Sequence, residues 1–366
     1  MKEITRKIES GARITAEEAL RLWREAPLWL LGQLADGVRR RKNGDALYWN
    51  RNFHIEPTNV CAFACRFCSY RRSAGDSEAW DLSIDQMEEI ARRYIGSGVT
   101  EVHIVGGVHP AHDLWFYTEL IRRIKALLPE AAIKAYTAVE LAYMIRKAGL
   151  SIEDGLVELQ KAGMQAIPGG GAEIFDPELR ERICPEKGTA EEWLAVHRAA
   201  HRLGIPTNAT ILYGHAETLE QRVDHLMRLR ELQDESAGTS AGGGFNAFIP
   251  LKYRARGNSM GAAGEVSVVE DMKMLAMSRI VLDNIPHIKA YWVMYGKSVA
   301  EMALAFGADD LDGTIDDSTR IFSMAGAEET APRLTVGEIE RMAEAAGLKA
   351  VERNTFYERQ EPQRTI

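Results

Sequence analysis

Three cysteines stand close together early in the chain: Cys61, Cys65 and Cys68, in Cys-Ala-Phe-Ala-Cys-Arg-Phe-Cys, a C-x3-C-x2-C spacing. A [4Fe–4S] cluster is a cube with iron at four corners, normally held by four thiolates. Three thiolates from one tight loop hold three irons and leave the fourth open, as a metal position must be if it is to bind a reactant. Two plainer readings compete. A disulfide with a spare thiol is disfavoured, because four cysteines in 366 residues are too few for a disulfide scaffold. A zinc site completed by a histidine such as His54 is disfavoured, because zinc ligands usually come as paired knuckles and no second pair follows. The fourth cysteine, Cys184 in Ile-Cys-Pro-Glu-Lys, reads as a small buried residue and not as a ligand.

Such a loop needs a rigid frame. From about residue 52 to 314, strand-like runs alternate with helical ones. The runs are 101–105, 133–137, 164–167, 208–212, 245–249, 288–293 and 309–313, separated by helix-period segments such as 84–95, 113–128, 191–203, 219–233 and 269–282. Repeated strand-then-helix units imply parallel strands, and this number suggests a (β/α)8 TIM-type barrel or a partly open version of one. We divide the chain into an N-terminal helical cap (1–50), the barrel (51–318) and a C-terminal extension (319–366). Thr15 with Glu18, and Thr335 with Glu338, have the spacing of capping boxes that start helices. Residues 236–244, rich in Gly and Ser, predict a flexible loop, and residues after about 356 a frayed tail.

Composition bounds the partners. A net charge of −8 argues against a general nucleic-acid binder, which would show a basic face. No apolar run approaches the ~20 residues a membrane span needs. The first residues are amphipathic and charged, without a signal-peptide core. Reduced thiols and an oxygen-sensitive cluster suit the cytoplasm.

In a parallel barrel the loops after the strands gather at one mouth. That rule collects Gly106-Gly107, Gly169-Gly170-Gly171-Ala172-Glu173, Gly214-His215 and Pro250-Leu251-Lys252 around the cysteine loop. The paired glycines allow close backbone approach to a ligand. Gly169 and Gly170 belong to a loop of exposed N–H groups suited to a substrate carboxylate, and no Walker ending follows them. Thr137 and Glu140 offer a hydroxyl and a carboxylate, either for a ligand or for the start of a helix. His109, His215 and His54 are candidates for moving protons or orienting substrate; His109 and His215 are taken as the catalytic pair. Lys252 and Arg254, with Arg256 beyond, are the best cationic partners for substrate carboxylates.

The cysteine motif resembles that of the radical S-adenosylmethionine (SAM) enzymes. This resemblance implies that the open iron is chelated by SAM, whose cleavage yields a 5′-deoxyadenosyl radical. It also places SAM along Gly106-Gly107, with Tyr70 near the adenine, Phe67 shielding the cluster, and Thr137 or Glu140 near the ribose or methionine end. The family often has an acid where this chain has Val108, which weakens a side-chain role there. Pro57–Cys61, Val105–Pro110 and Ile167–Ile174 are similar to the enzymes of the futalosine route to menaquinone and of deazaflavin synthesis. Lys134–Glu140, Leu212–Thr218 with Phe248–Lys252, and Leu311–Thr314 with Met324–Ala327 look most like the aminofutalosine synthase family. Together they span roughly residues 45–350. The resemblance implies a radical SAM barrel that adds the deoxyadenosyl radical to an aryl enol ether dicarboxylate, 3-[(1-carboxyvinyl)oxy]benzoate. SAM is then a consumed co-substrate, and the electron comes from a flavodoxin or ferredoxin. The alternatives are the sibling cyclase or deazaflavin enzyme, which begins with hydrogen abstraction, and a non-catalytic iron–sulfur protein.

Overall fold

The computed structural model describes residues 1–238, 242–261, 265–327 and 329–360. Its strands are β1 (Ala46–Asn50), β2 (Asn52–Ile55), β3 (Glu101–Ile104), β4 (Ala132–Ala135), β5 (Met164–Ala166), β6 (Thr207–Tyr213), β7 (Phe245–Lys252), β8 (His287–Ile288), β9 (Asp310–Gly313) and β10 (Lys349–Glu352). Every strand pairing is parallel. β2 to β5 form one run and β6 to β8 another. Single bridges, Ile167 to Thr207 and Lys289 to Asp310, carry the order on to β6 and to β9. Strand order therefore follows chain order from β2 to β9, the arrangement of a TIM-type barrel.

The ring closes through one continuous stretch of chain. Only Arg51 separates β1 from β2. β1 pairs with β9 on one side and β10 on the other, while β2 pairs with β3. Residues 46–55 thus bridge the last and first strands of the barrel. Residues 46–50, expected within the helical cap, form a strand. The buried run Leu47-Tyr48-Trp49 suits a strand covered on both faces.

Helices wrap the ring because each carries an apolar stripe at 3.6-residue period. Leu114–Leu127 buries Leu114, Tyr117, Leu120, Ile121 and Ile124. Both expected capping boxes form, at Thr15 with Glu18 and at Thr335 with Glu338. Three expectations need correction. The run 288–293 is strand only at His287–Ile288 and then turns into the helix Trp292–Tyr295, buried on all sides; short apolar runs do not distinguish the two by period. The Gly/Ser stretch begins inside the helix Leu219–Ala237, and residues 239–241 of that stretch lie outside the described residues. The tail is not frayed at 357, since Tyr357 stacks on His287 at 3.7 Å between ring centroids.

Candidate active site

A cavity of about 310 Å³ opens among the loops that follow the strands, within the range of small-molecule sites. Its lining includes Cys61, Cys65 and Cys68. All three thiols are free and partly exposed. The loop that carries them is fixed by backbone bonds: Ala62 N–H donates to Val108 O at 2.9 Å, and Arg66 N–H to Ile183 O at 2.8 Å. Val108 N–H points at Cys61 Sγ across 3.3 Å. Burial pushes the Cys61 and Cys68 thiols up. A hydrogen bond with Cys184, then burial, does the same to Cys65. Half-buried thiols that line one cavity suit a metal that displaces their protons. The donor set fits three corners of an iron–sulfur cube. Cys184 is buried beside Cys65 and shares that hydrogen bond.

The second and third loops hold each other. Glu140 completes a capping box with Thr137 at the start of the helix Ala138–Lys147, and its carboxylate also accepts from Gly106 N–H at 3.1 Å. One side chain therefore ties the glycine pair after β3 to the loop after β4. Burial drives the Glu140 carboxyl up to about 7, against the bonds from Thr137 and Gly106 that favour its charge. Tyr70 is buried, lines the cavity, and donates through its hydroxyl to Thr58 O at 3.2 Å.

A half-buried ion pair, Lys187 with Glu173, lies beside the cysteines, and the Lys187 ammonium sits 5.2 Å from the centroid of the Phe67 ring. Burial works against the charge on Lys187, but Glu173 and the thiols of Cys65 and Cys184 hold it above its usual range. Both members of the pair and Phe67 line the cavity.

Of the residues singled out from sequence, Tyr70, Gly106, Gly107, Thr137, Glu140, Gly169, Gly170, Lys252 and Arg254 all line this cavity with the three cysteines. Lys252 is buried and paired with Asp271 at 2.9 Å. Arg254 pairs with Glu265 at 2.6 Å and keeps a buried Nε without a partner. Arg256 is exposed and does not join the lining. Nor do the two histidines expected to be catalytic. His109 meets Asp81 at 3.6 Å beside His112, and its Nδ1 accepts from Ala111 N–H at 3.1 Å. His215 is spent within its own turn, with Nε2 donating to Leu212 O at 3.0 Å and the Glu217–Arg222 ion pair packed alongside. The histidines of the lining are His54 and His103. His103, Lys289 and Asp312 had no place in the sequence reading of the site. Their signal was available: Phe53-His54-Ile55, Val102-His103-Ile104 and Ile133-Lys134-Ala135 each put one polar residue inside a short apolar strand, where a barrel strand should be apolar throughout.

A parallel barrel with three convergent free thiols and glycine-built loops at its mouth defines an iron–sulfur radical enzyme. Residues 55–229 match the radical SAM superfamily, and the chain belongs to it. Within that superfamily, residues 242–366 match the CofH/MqnC C-terminal region. The chain is 40% identical to the aminodeoxyfutalosine synthase of Streptomyces coelicolor, over 98% of this chain and 93% of that one. It is also 40% identical to the aminodeoxyfutalosine synthase of Thermus thermophilus, over 97% and 94%. Among solved structures, methylornithine synthase shares the fold, with a TM-score of 0.74 over 95% of this chain and 97% of that one at 17% identity. No helix among the described residues is long and apolar enough to cross a membrane.

Proposed function

We propose that this chain is an enzyme of the aminodeoxyfutalosine synthase type. It joins the deoxyadenosyl group of SAM to 3-[(1-carboxyvinyl)oxy]benzoate, with aryl migration and loss of one carboxylate, on the route to menaquinone. The observation that carries this reading is the 40% identity to two curated synthases along nearly the whole chain. The contents of the cavity support it.

Cys61, Cys65 and Cys68 would hold the [4Fe–4S] cluster, which when bound and reduced by a low-potential donor such as a flavodoxin or ferredoxin supplies the deoxyadenosyl radical from SAM. The chain's own residues bind, orient and exclude water. Gly106 and Gly107 bring bare backbone to the cavity wall, and Glu140 fixes Gly106 there. Tyr70 and Thr137 line the same wall, where we place the nucleoside. Gly169 and Gly170, on the loop after β5, offer backbone to the substrate, and Lys252 and Arg254 present charge for one of its carboxylates. Val105, Leu212, Ile249 and Leu251 make the apolar part of the lining, which keeps water away from a reactive radical.

The test is an anaerobic incubation with SAM labelled in its adenosyl carbons, the aryl enol ether and a low-potential reductant. Label enters a nucleoside product larger than deoxyadenosine. Only free labelled deoxyadenosine over repeated turnovers, with the enol ether untouched, overturns the addition reaction in favour of the hydrogen-abstracting cyclase or deazaflavin chemistry. No SAM cleavage at all after reduction points to a non-catalytic iron–sulfur protein.

A further inference from the structure

The cavity does not end at the cysteines. It reaches side chains set within the barrel strands themselves, one layer below the loops. His54 on β2, His103 on β3 and Lys134 on β4 are direct register partners, and all three line the cavity together with Lys289 and Asp312. The His54 and His103 rings stack at 4.6 Å between centroids. His54 is 4% exposed, and its Nδ1 is buried without a hydrogen-bond partner. A buried imidazole nitrogen left bare costs free energy unless something else satisfies it.

The charges around this pair are arranged unevenly. Lys134 pairs with Glu101, Lys289 with Asp312 at 2.6 Å, and Arg353 with Asp310 at 2.7 Å. Three cations thus balance three carboxylates, and the layer is neutral while both histidines are neutral. Burial holds them so: it lowers His54 to about 4 and His103 well below its ordinary value. The groups that act on the pair are Glu101 on β3, Lys134 on β4, Lys289 after β8 and Asp312 on β9. Of the charged groups in this layer, two cations and one carboxylate face the cavity, while Glu101, Asp310 and Arg353 stand behind its lining. Each lysine spends one of its three N–H groups on its ion pair. The floor therefore offers more donors than acceptors to whatever enters.

We propose that this floor is a carboxylate-binding subsite, and that the His54–His103 pair takes up one proton as the carboxylate enters. A carboxylate meets the ammonium ends of Lys134 and Lys289 and the open nitrogen of His54. It also brings one negative charge into a layer that is already balanced. Burying an uncompensated charge is costly, and the two imidazoles are the neutral groups within reach that become cations. The proposal rests on the reading above in one respect, that the benzoate acid group of the enol ether is the carboxylate placed here.

Binding calorimetry on the anaerobic holoenzyme with SAM and no reductant tests it without turnover. The enol ether and plain benzoate are each titrated near neutral pH in two buffers of different ionisation enthalpy. The expected result is an uptake of about one proton per ligand bound. Methyl benzoate, with the acid capped, binds about tenfold more weakly or worse and takes up none. His54→Gln with His103→Gln abolishes the uptake in a variant whose iron content stays that of wild type. If the double variant fails to fold, His54→Gln alone is read the same way, with uptake at least halved. Buffer-independent heats in wild type, uptake that survives the substitutions, or no binding of either acid overturns the proposal. Proton-coupled binding of benzoate by an enzyme that never converts the enol ether retires the synthase reading and leaves the subsite standing.

Discussion

Gly107→Ala is the sharpest single perturbation of the cluster loop. Gly107 N–H donates to Thr58 O at 2.7 Å, which presses this residue against the segment leading into Cys61. A methyl group at position 107 would lie 2.4 Å from Val60 O and 2.9 Å from Val60 C. That is roughly 1 Å inside contact distance, and the atoms it meets are backbone, which cannot swing aside. Val60 is bonded directly to Cys61, so relief of the clash moves a ligand. Metal sites hold their ligand distances to about 0.2 Å, so the required shift is several times what the site tolerates. Overpacking of this kind costs about 1–3 kcal/mol. Charged to cluster binding, it weakens retention by about 5–150-fold. The assay is iron and sulfide content after anaerobic reconstitution, followed by the rate of loss to a chelator. Gly37→Ala is the control, since a Cβ there meets only Arg41 Nη1 at 3.7 Å within its helix, and it stabilises that helix by up to ~1 kcal/mol. A Gly107→Ala protein that keeps its cluster against chelator as wild type does would refute the reasoning, because the displaced carbonyl would then not be reaching Cys61.

Alanine at Cys61, Cys65 or Cys68 removes the cluster absorbance and SAM cleavage, while Cys184→Ala keeps both; iron analysis decides, and loss of the cluster in Cys184→Ala with retention in Cys65→Ala reverses the assignment. Glu140 binds its proton more tightly in the folded chain than unfolded, so its contribution to stability is whole below about pH 4.5 and is lost as pH rises through about 7. The shift corresponds to about 3 kcal/mol at most, and Glu140→Gln flattens the stability profile across that window in denaturant titrations at stepped pH. The same variant puts an amide N–H against either Gly106 N–H or Thr137 N–H and weakens SAM binding by about 5–150-fold; an unchanged SAM affinity shows that the Glu140–Gly106 tie does not shape that wall.

Barrel and mouth were legible in the sequence because both follow from local rules. Apolar runs alternating with helical periods give parallel strands, and the strand-then-loop rule put Gly106, Thr137, Gly169 and Lys252 beside the cysteines without any knowledge of distances. What that rule does not supply is whether a loop side chain joins the cavity. His109 and His215 both follow strands, yet one is drawn to Asp81 and the other into the Glu217 turn, contacts set by residues the strand rule ignores. The floor escaped for a different reason. His54, His103 and Lys134 sit inside strands and not at their ends, and they join up only through the register of three strands. Cys184 shows the same limit. It reads as a small buried residue, and its approach to Cys65 depends on how two separate loops fold back.

The stretch 46–55 that closes the barrel also sets an order of events. The cysteines follow it by a few residues, but the strands that pair with its first half come from residues 310–313 and 349–352. Contacts so far apart in the chain make for slow ring closure. A chain still being synthesised has its three thiols out of the ribosome long before β9 exists to close the ring. The loop that is to hold an oxygen-sensitive cluster is therefore made early on an open half-barrel. Ring closure therefore waits for β9, whose Asp312 lines the same cavity as the cysteines, so damage far along the chain reaches the site that the early thiols build.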